Sequence, residues 1–155
     1  MITLDLPLAA SHEPPFTVNI AVHITNRQRS LSLDRPRIRR AVHAVLGDAE
    51  IGHAEISIAI VDDATIARLH QQYLDDPEPT DVLSFVLERS DQYLEGEVVV
   101  SAETAVAYAA RHKSTPQDEL LRYVIHGTLH LTGYDDATPR QRTAMQTRER
   151  KYLRE

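Results

Sequence analysis

The chain has 155 residues, a net charge of −6, 42% hydrophobic residues and 26% charged ones; this suits one globular domain with its own core and excludes a disordered chain. It has no cysteine, which excludes disulfides and thiolate metal sites and makes any metal site one of histidine and carboxylate. The opening residues MITLDLPLAASHEPPF lack a basic start and a continuous apolar run, and no later stretch approaches the roughly 20 apolar residues of a membrane span, so a cytoplasmic protein is expected.

Residues 1–15 contain prolines and read as an irregular arm. TVNIAVHI (17–24) alternates and is β-branched, which predicts a strand. Asp34 is placed as an N-cap with Pro36 in the first turn, and Ile38, Ala41, Val42 and Val45 recur at helical spacing until Gly47, which is expected to stop the helix. AEISIAIVD (54–62) predicts a second strand, and Asp62 or Asp63 caps a helix with Ile66, Leu69 and Tyr73 on one face. Two prolines forbid a helix through LDDPEPTDVLSFVLE (74–88), which reads as a loop feeding a strand. EGEVVVS (95–101) is a further strand, after which Ser101 caps an Ala-rich helix running to about His112. Thr115 as cap, Pro116 at the first position and acids in the first turn open the next helix, which Gly133 ends; Thr138-Pro139 opens a final charged helix.

Charge is unevenly spread along the chain, which opens as β-α-β-α. Of the 17 Lys and Arg, 12 fall in Arg27–Arg40 and Arg140–Arg154. The net negative charge argues against an indiscriminate nucleic-acid binder, yet two basic patches are compatible with an acidic protein. Solvated helix faces are the plain reading, and phosphate contact is the functional one.

The stretch HGTLHLTGYDD (126–136) carries the chemistry. His126 and His130 are four residues apart on a predicted helix, hence on one face about 6 Å apart, and both imidazoles can reach one ion at roughly 2.0 to 2.1 Å. A third ligand must come from beyond the helix. Gly133 lets the backbone turn back, placing Asp136 to return toward the ion, with Asp135 as the alternative. The layout is that of the metzincin proteases, but their general-base Glu after the first His is replaced here by Gly127, which argues against peptide hydrolysis. The remaining histidines, His43, His53 and His112 among them, stand singly and read as surface or core residues.

Three segments together resemble the YbeY family of bacterial metal-dependent endoribonucleases and ribosomal RNA maturation factors. HGTLHLTGYDD is similar to the family's H-G-x-L-H-L-x-G-Y-D-H, PTDVLSF (79–85) to its P-T-D-V-L-S-F, and GEVVVS (96–101) to its G-D-I-x-I-S with Glu97 for Asp. The resemblance spans roughly residues 17–153. It implies an α+β fold, a small mixed β-sheet of about four strands packed with about five helices, and one Zn2+ per chain on His126, His130 and Asp136. It also implies cleavage of single-stranded RNA during ribosomal RNA maturation and ribosome quality control, with the ribosomal small subunit as a candidate partner. Thr80, Asp81 and Ser84 are the polar candidates for a groove beside the metal.

Two positions depart from the family. Asp136 stands where the family usually has a third His; it remains an oxygen donor but adds a negative charge, which weakens the ion as a Lewis acid. Leu74 stands where the family has an Arg after Tyr73, so no guanidinium is available there to meet developing phosphate charge. In the same loop Asp75 and Asp76 add negative charge, and Pro77 replaces a family Asp. The favoured reading is a zinc-dependent endoribonuclease. The alternatives are a catalytically weak ribosome-assembly or RNA-binding factor with a structural metal and, disfavoured by Gly127, a zinc peptidase.

Overall fold

The computed structural model describes residues 18–74 and 80–155. The expectations for the N-terminal arm and for Asp75, Asp76 and Pro77 lie outside the described residues. The elements in chain order are β1 (Asn19–Asn26), α1 (Arg35–Asp48), β2 (His53–Val61), α2 (Asp63–Leu74), β3 (Val82–Arg89), β4 (Tyr93–Ser101), α3 (Ala102–Arg111), α4 (Pro116–Leu131) and α5 (Pro139–Leu153). The sheet order is β1-β2-β4-β3. β1, β2 and β4 are parallel, and β3 joins antiparallel through a hairpin to β4. This is the expected α+β architecture with a mixed sheet.

Alternation along the strands decides which side chains meet which helices. Ile56, Ile58 and Ile60 of β2 and Leu94, Val98 and Val100 of β4 enter the larger core, shared with α1, α4 and α5. Val61, Val99 and Leu83 point the other way and pack with Ile66 of α2 in a smaller cluster. Apolar residues are needed on both faces only toward the ends of these strands, Ile58–Val61 in β2 and Val98–Val100 in β4, whereas their first halves alternate through Glu55 and Ser57 or Glu95 and Glu97. Helix α4 contacts α1, α3, α5, β3 and β4. Ten of its 16 residues are buried, the pattern of a helix enclosed on most sides rather than of an amphipathic surface helix.

Local capping sets the helix starts. The side chains of Asp34, Ser101 and Thr115 accept the backbone N–H of Arg37, Thr104 and Asp118, and Thr138 forms a reciprocal capping box with Gln141. Asp62 is the cap of α2, accepting the Thr65 N–H at 2.8 Å. Asp63 instead accepts the hydroxyls of Ser101 and Thr104, tying α2 to α3.

One expected boundary is corrected. Gly47 does not stop α1, which continues through it to Asp48 and is capped by Ala49, with the reversal made at Glu50, φ 59°. A glycine weakens a helix by about 1 kcal/mol but ends it only by adopting a conformation that others resist, and Gly47 does not have positive φ. The buried Leu46 holds that last turn on the core.

Gly127 has a different role. A Cβ there would lie 2.6 Å from Val98 Cγ1 and 3.0 Å from both Ser84 Oγ and Val82 Cγ2, so α4 rests on β3 and β4 with no side chain between. Ser84 Oγ donates to the Gly127 carbonyl at 3.0 Å across this contact.

The two glycines therefore predict opposite outcomes for the same substitution. Gly47→Ala, with nothing within 4 Å of the added methyl, should raise stability by up to about 1 kcal/mol through helix propensity. Gly127→Ala should lower it by about 1 to 3 kcal/mol through overpacking. Urea unfolding midpoints of the two variants check this, and a stabilised Gly127→Ala would refute the close contact.

Candidate metal centre

His126 and His130 lie one turn apart near the C-terminus of α4, and Asp136 lies in the connection to α5. The turn that brings Asp136 back is specific. Gly133 has φ +110°, its N–H donates to the His130 carbonyl at 3.0 Å, and the Tyr134 N–H donates to the Leu129 carbonyl at 3.1 Å. These are the two bonds of a Schellman motif, whose left-handed position favours glycine. Tyr134 packs against the core, as the motif's apolar residue does. Past this turn, Arg142 Nη1 donates to the carbonyls of Asp136 and Ala137 at 3.2 and 3.1 Å, fixing the loop. Asp135, the alternative ligand, accepts the Asp136 N–H with its side chain at 2.8 Å and stands outside the donor group.

The three donor atoms form a nearly regular triangle. His126 Nε2 and His130 Nε2 are 3.1 Å apart. Asp136 Oδ2 is 3.3 Å from the first and 3.5 Å from the second. Bonds of 2.0–2.1 Å to a tetrahedral ion require donor atoms about 3.3 Å apart, so the residues present fit one small tetrahedral ion without rearrangement. Their side chains are 20%, 27% and 40% exposed, so an ion held there would be reachable from solvent.

Behind His126 stands Glu149, a residue that motif reasoning did not single out. His126 Nδ1 donates to Glu149 Oε2 at 2.5 Å, which leaves Nε2 as the ring's lone-pair atom on the side of His130 and Asp136. A histidine ligand oriented by a carboxylate in this way is the usual outer support of a metal site. Burial of His126 would push its pKa down, but the hydrogen bond and charge of Glu149, with the nearby Asp136 and Asp81, outweigh it and hold the pKa above the ordinary value. Glu149 is 3% exposed and also meets Arg122 Nη1 at 3.5 Å. Arg122 in turn is bound by both oxygens of Glu119, at 3.3 and 2.7 Å. A signal for Glu149 was present in the sequence: with Met145 and Tyr152 it forms the buried face of α5, so it is a carboxylate at an otherwise apolar helical position.

The groove beside these groups has a volume of about 510 Å³. All the sequence candidates line it: Thr80, Asp81 and Ser84 on the β3 side, His126, His130 and Asp136 opposite, with Leu74 at the end of α2. Ser84 is committed to the Gly127 carbonyl, and the Thr80 hydroxyl donates to its near neighbour, the Val82 carbonyl, at 3.5 Å. No Lys or Arg stands among the described residues that line the groove, so the missing guanidinium at Leu74 has no substitute there. The position of the protease general base is filled by the sheet: at Gly127 even a Cβ would collide with Val98.

An α+β protein with two helical imidazoles and a carboxylate converging at a solvent-open groove has the elements of a metal-dependent hydrolase. Residues 23–155 match the family model described as Endoribonuclease YbeY. A Salinibacter ruber relative named Endoribonuclease YbeY is 34% identical over 95% of this chain and 90% of its own length. One of the same name from Protochlamydia amoebophila is 36% identical over 76% of this chain and 80% of its own. Another, from Rhodopirellula baltica, is 38% identical over 77% of this chain and 62% of its own length. A Thermotoga maritima protein of known solution structure superposes with a TM-score of 0.60 at 29% identity, covering 85% of this chain and 86% of that one. The chain belongs to the YbeY endoribonuclease family.

Removing the outer carboxylate tests the geometry independently of turnover. Glu149→Ala should weaken zinc binding about 10- to 100-fold, measured by competition with a chromophoric chelator. Unchanged affinity would mean that Glu149 orients nothing.

Proposed function

We propose that the chain is a zinc-dependent endoribonuclease that cleaves single-stranded RNA in the cytoplasm, in the maturation and quality control of ribosomal RNA, with the ribosomal small subunit as a partner. The observation that carries this reading is the triangle of donor atoms, spaced for one ion at the wall of an open groove, in a member of an endoribonuclease family. Two imidazoles and one carboxylate suit zinc among the first-row metals. None of the described helices is long and apolar enough to cross a membrane, in keeping with a cytoplasmic site of action.

In this reading His126, His130 and Asp136 hold the ion. When bound, zinc supplies Lewis acidity that activates water and offsets charge developing on the scissile phosphate. Glu149 keeps the His126 proton on Nδ1 and the ring in place. Arg142 anchors the backbone carrying Asp136. Asp81 and Thr80 face the substrate space from the other wall. The test is cleavage of a labelled single-stranded RNA by zinc-loaded protein beside His126→Ala, purified identically. Cleavage by the native chain that falls at least a hundredfold in the variant is expected; equal cleavage by both would overturn the assignment.

A second reading, an RNA-binding assembly factor with a structural metal, is favoured by the groove's lack of Lys and Arg among its described lining residues. Phosphodiester cleavage gains from a cation near the developing charge, and Leu74 provides none. This reading predicts a chain that binds RNA and loses stability on chelation but does not turn over.

A further inference from the structure

Part of the groove's lining is apolar, with Leu74, Leu83, Phe85 and Val86 standing among its polar groups, and neither metal binding nor water activation employs these side chains. Tyr73 and Leu74, in the last turn of α2, are 60% and 57% exposed. Tyr73 packs edge-on against Phe85 of β3, ring centroids 5.3 Å apart at 62°. Phe85 and Leu74 both line the groove that holds His126 and Asp136. Val86 and Leu87, the next residues of β3, are 49% and 55% exposed. Large apolar side chains this exposed beside a site mark a surface that takes a ligand.

The charge of the groove says what kind. Its described lining carries the carboxylates of Asp81 and Asp136 and no Lys or Arg, so no side-chain cation there holds a strand by its phosphates, the usual source of nucleic-acid affinity. A nucleobase is neutral and has a flat face. Aromatic side chains bind bases by stacking, which tolerates any sequence because every base has a flat π-face. Phe85 packs against the Tyr73 ring at a steep angle and Tyr73 stays exposed, which leaves ring surface open to a base, while Leu74 supplies the apolar border.

The geometry points to Tyr73, supported by Phe85 and Leu74, as a stacking site for one unpaired nucleobase of the substrate strand at the entrance to the metal groove. This rests on the endoribonuclease reading and deepens it. The strand is gripped by a base beside the reacting phosphate rather than by a guanidinium on that phosphate, and a paired base, its faces already stacked, cannot enter. Selection of single strands then follows from Tyr73 rather than from the metal.

The test separates this site from the chemistry. A short single-stranded RNA carrying 2-aminopurine, whose fluorescence is quenched on stacking, is titrated with zinc-free and zinc-loaded protein. Tyr73→Phe should bind within about twofold of the native chain and quench equally. Tyr73→Leu, which keeps an apolar contact with Phe85 and so protects the fold, should weaken binding about tenfold and lose the quenching. Its slope of log Kd against log salt should be unchanged, because no phosphate contact is removed. Native affinity and quenching in Tyr73→Leu would overturn the proposal, as would an equal loss in Tyr73→Phe. Quenching at Tyr73 without cleavage by the native chain would retain the stacking site and defeat the nuclease reading, whereas cleavage with Tyr73→Leu binding normally would do the reverse.

Discussion

The contact on which the site depends is the direct seating of α4 on the sheet at Gly127. Because no side chain separates the helix from Val98, Val82 and Ser84, the helix runs close along the β3 side of the sheet. The residue before the glycine, His126, and the one three after it, His130, then face the groove whose other wall is β3. A larger residue at 127 would lift the helix, and both imidazoles would move relative to Thr80 and Asp81. The same contact removes the position from which a protease would supply its general base, so one steric fact both builds the site and narrows its chemistry.

Electrostatics completes what sterics begins. Glu119, Arg122 and Glu149 are packed between α4 and α5, with Arg122 lying over the rings of Tyr108 and Tyr123 at 5.5 and 5.3 Å. Two buried carboxylates against one guanidinium leave an uncompensated negative charge, which is costly in a protein interior unless paired. The imidazole of His126 meets it through Nδ1, and a cation on the far side of that ring would add to the compensation. The fold thus carries negative charge behind the histidines where a bound dication would be offset, while Asp136 contributes more in front. That surplus suits metal binding and opposes polyanion binding, which is why recognition of a strand falls to Tyr73 and its neighbour Phe85.

Much of this was legible in the sequence because its signals are local. The caps at Asp34, Ser101, Thr115 and Thr138 are short-range hydrogen-bond patterns, and each stands where its spacing placed it. The glycine turn after His130 is equally local, and it favours Asp136 over Asp135 once the Asp135 side chain is seen to be occupied with the backbone of Asp136. Gly47 misled because a glycine signals a helix end only when its φ is used. The partnership of Glu149 with His126 was hidden for a different reason: the two lie 23 residues apart, and such a pairing exists only after α5 folds back on α4. The Tyr73–Phe85 pair is likewise a product of tertiary placement, since Tyr73 reads as one residue on the apolar face of α2 until it is found exposed beside Phe85.

Whether His126, His130 and Asp136 together hold one ion can be read with cobalt(II), because its visible spectrum reports coordination. Titration of the metal-free chain should saturate at one cobalt per chain with the intense visible bands of a tetrahedral nitrogen and oxygen site, and single substitution of His126, His130 or Asp136 by Ala should abolish or strongly weaken them. Weak octahedral bands in the native chain, or a spectrum indifferent to all three substitutions, would contradict a tetrahedral site built from these three residues.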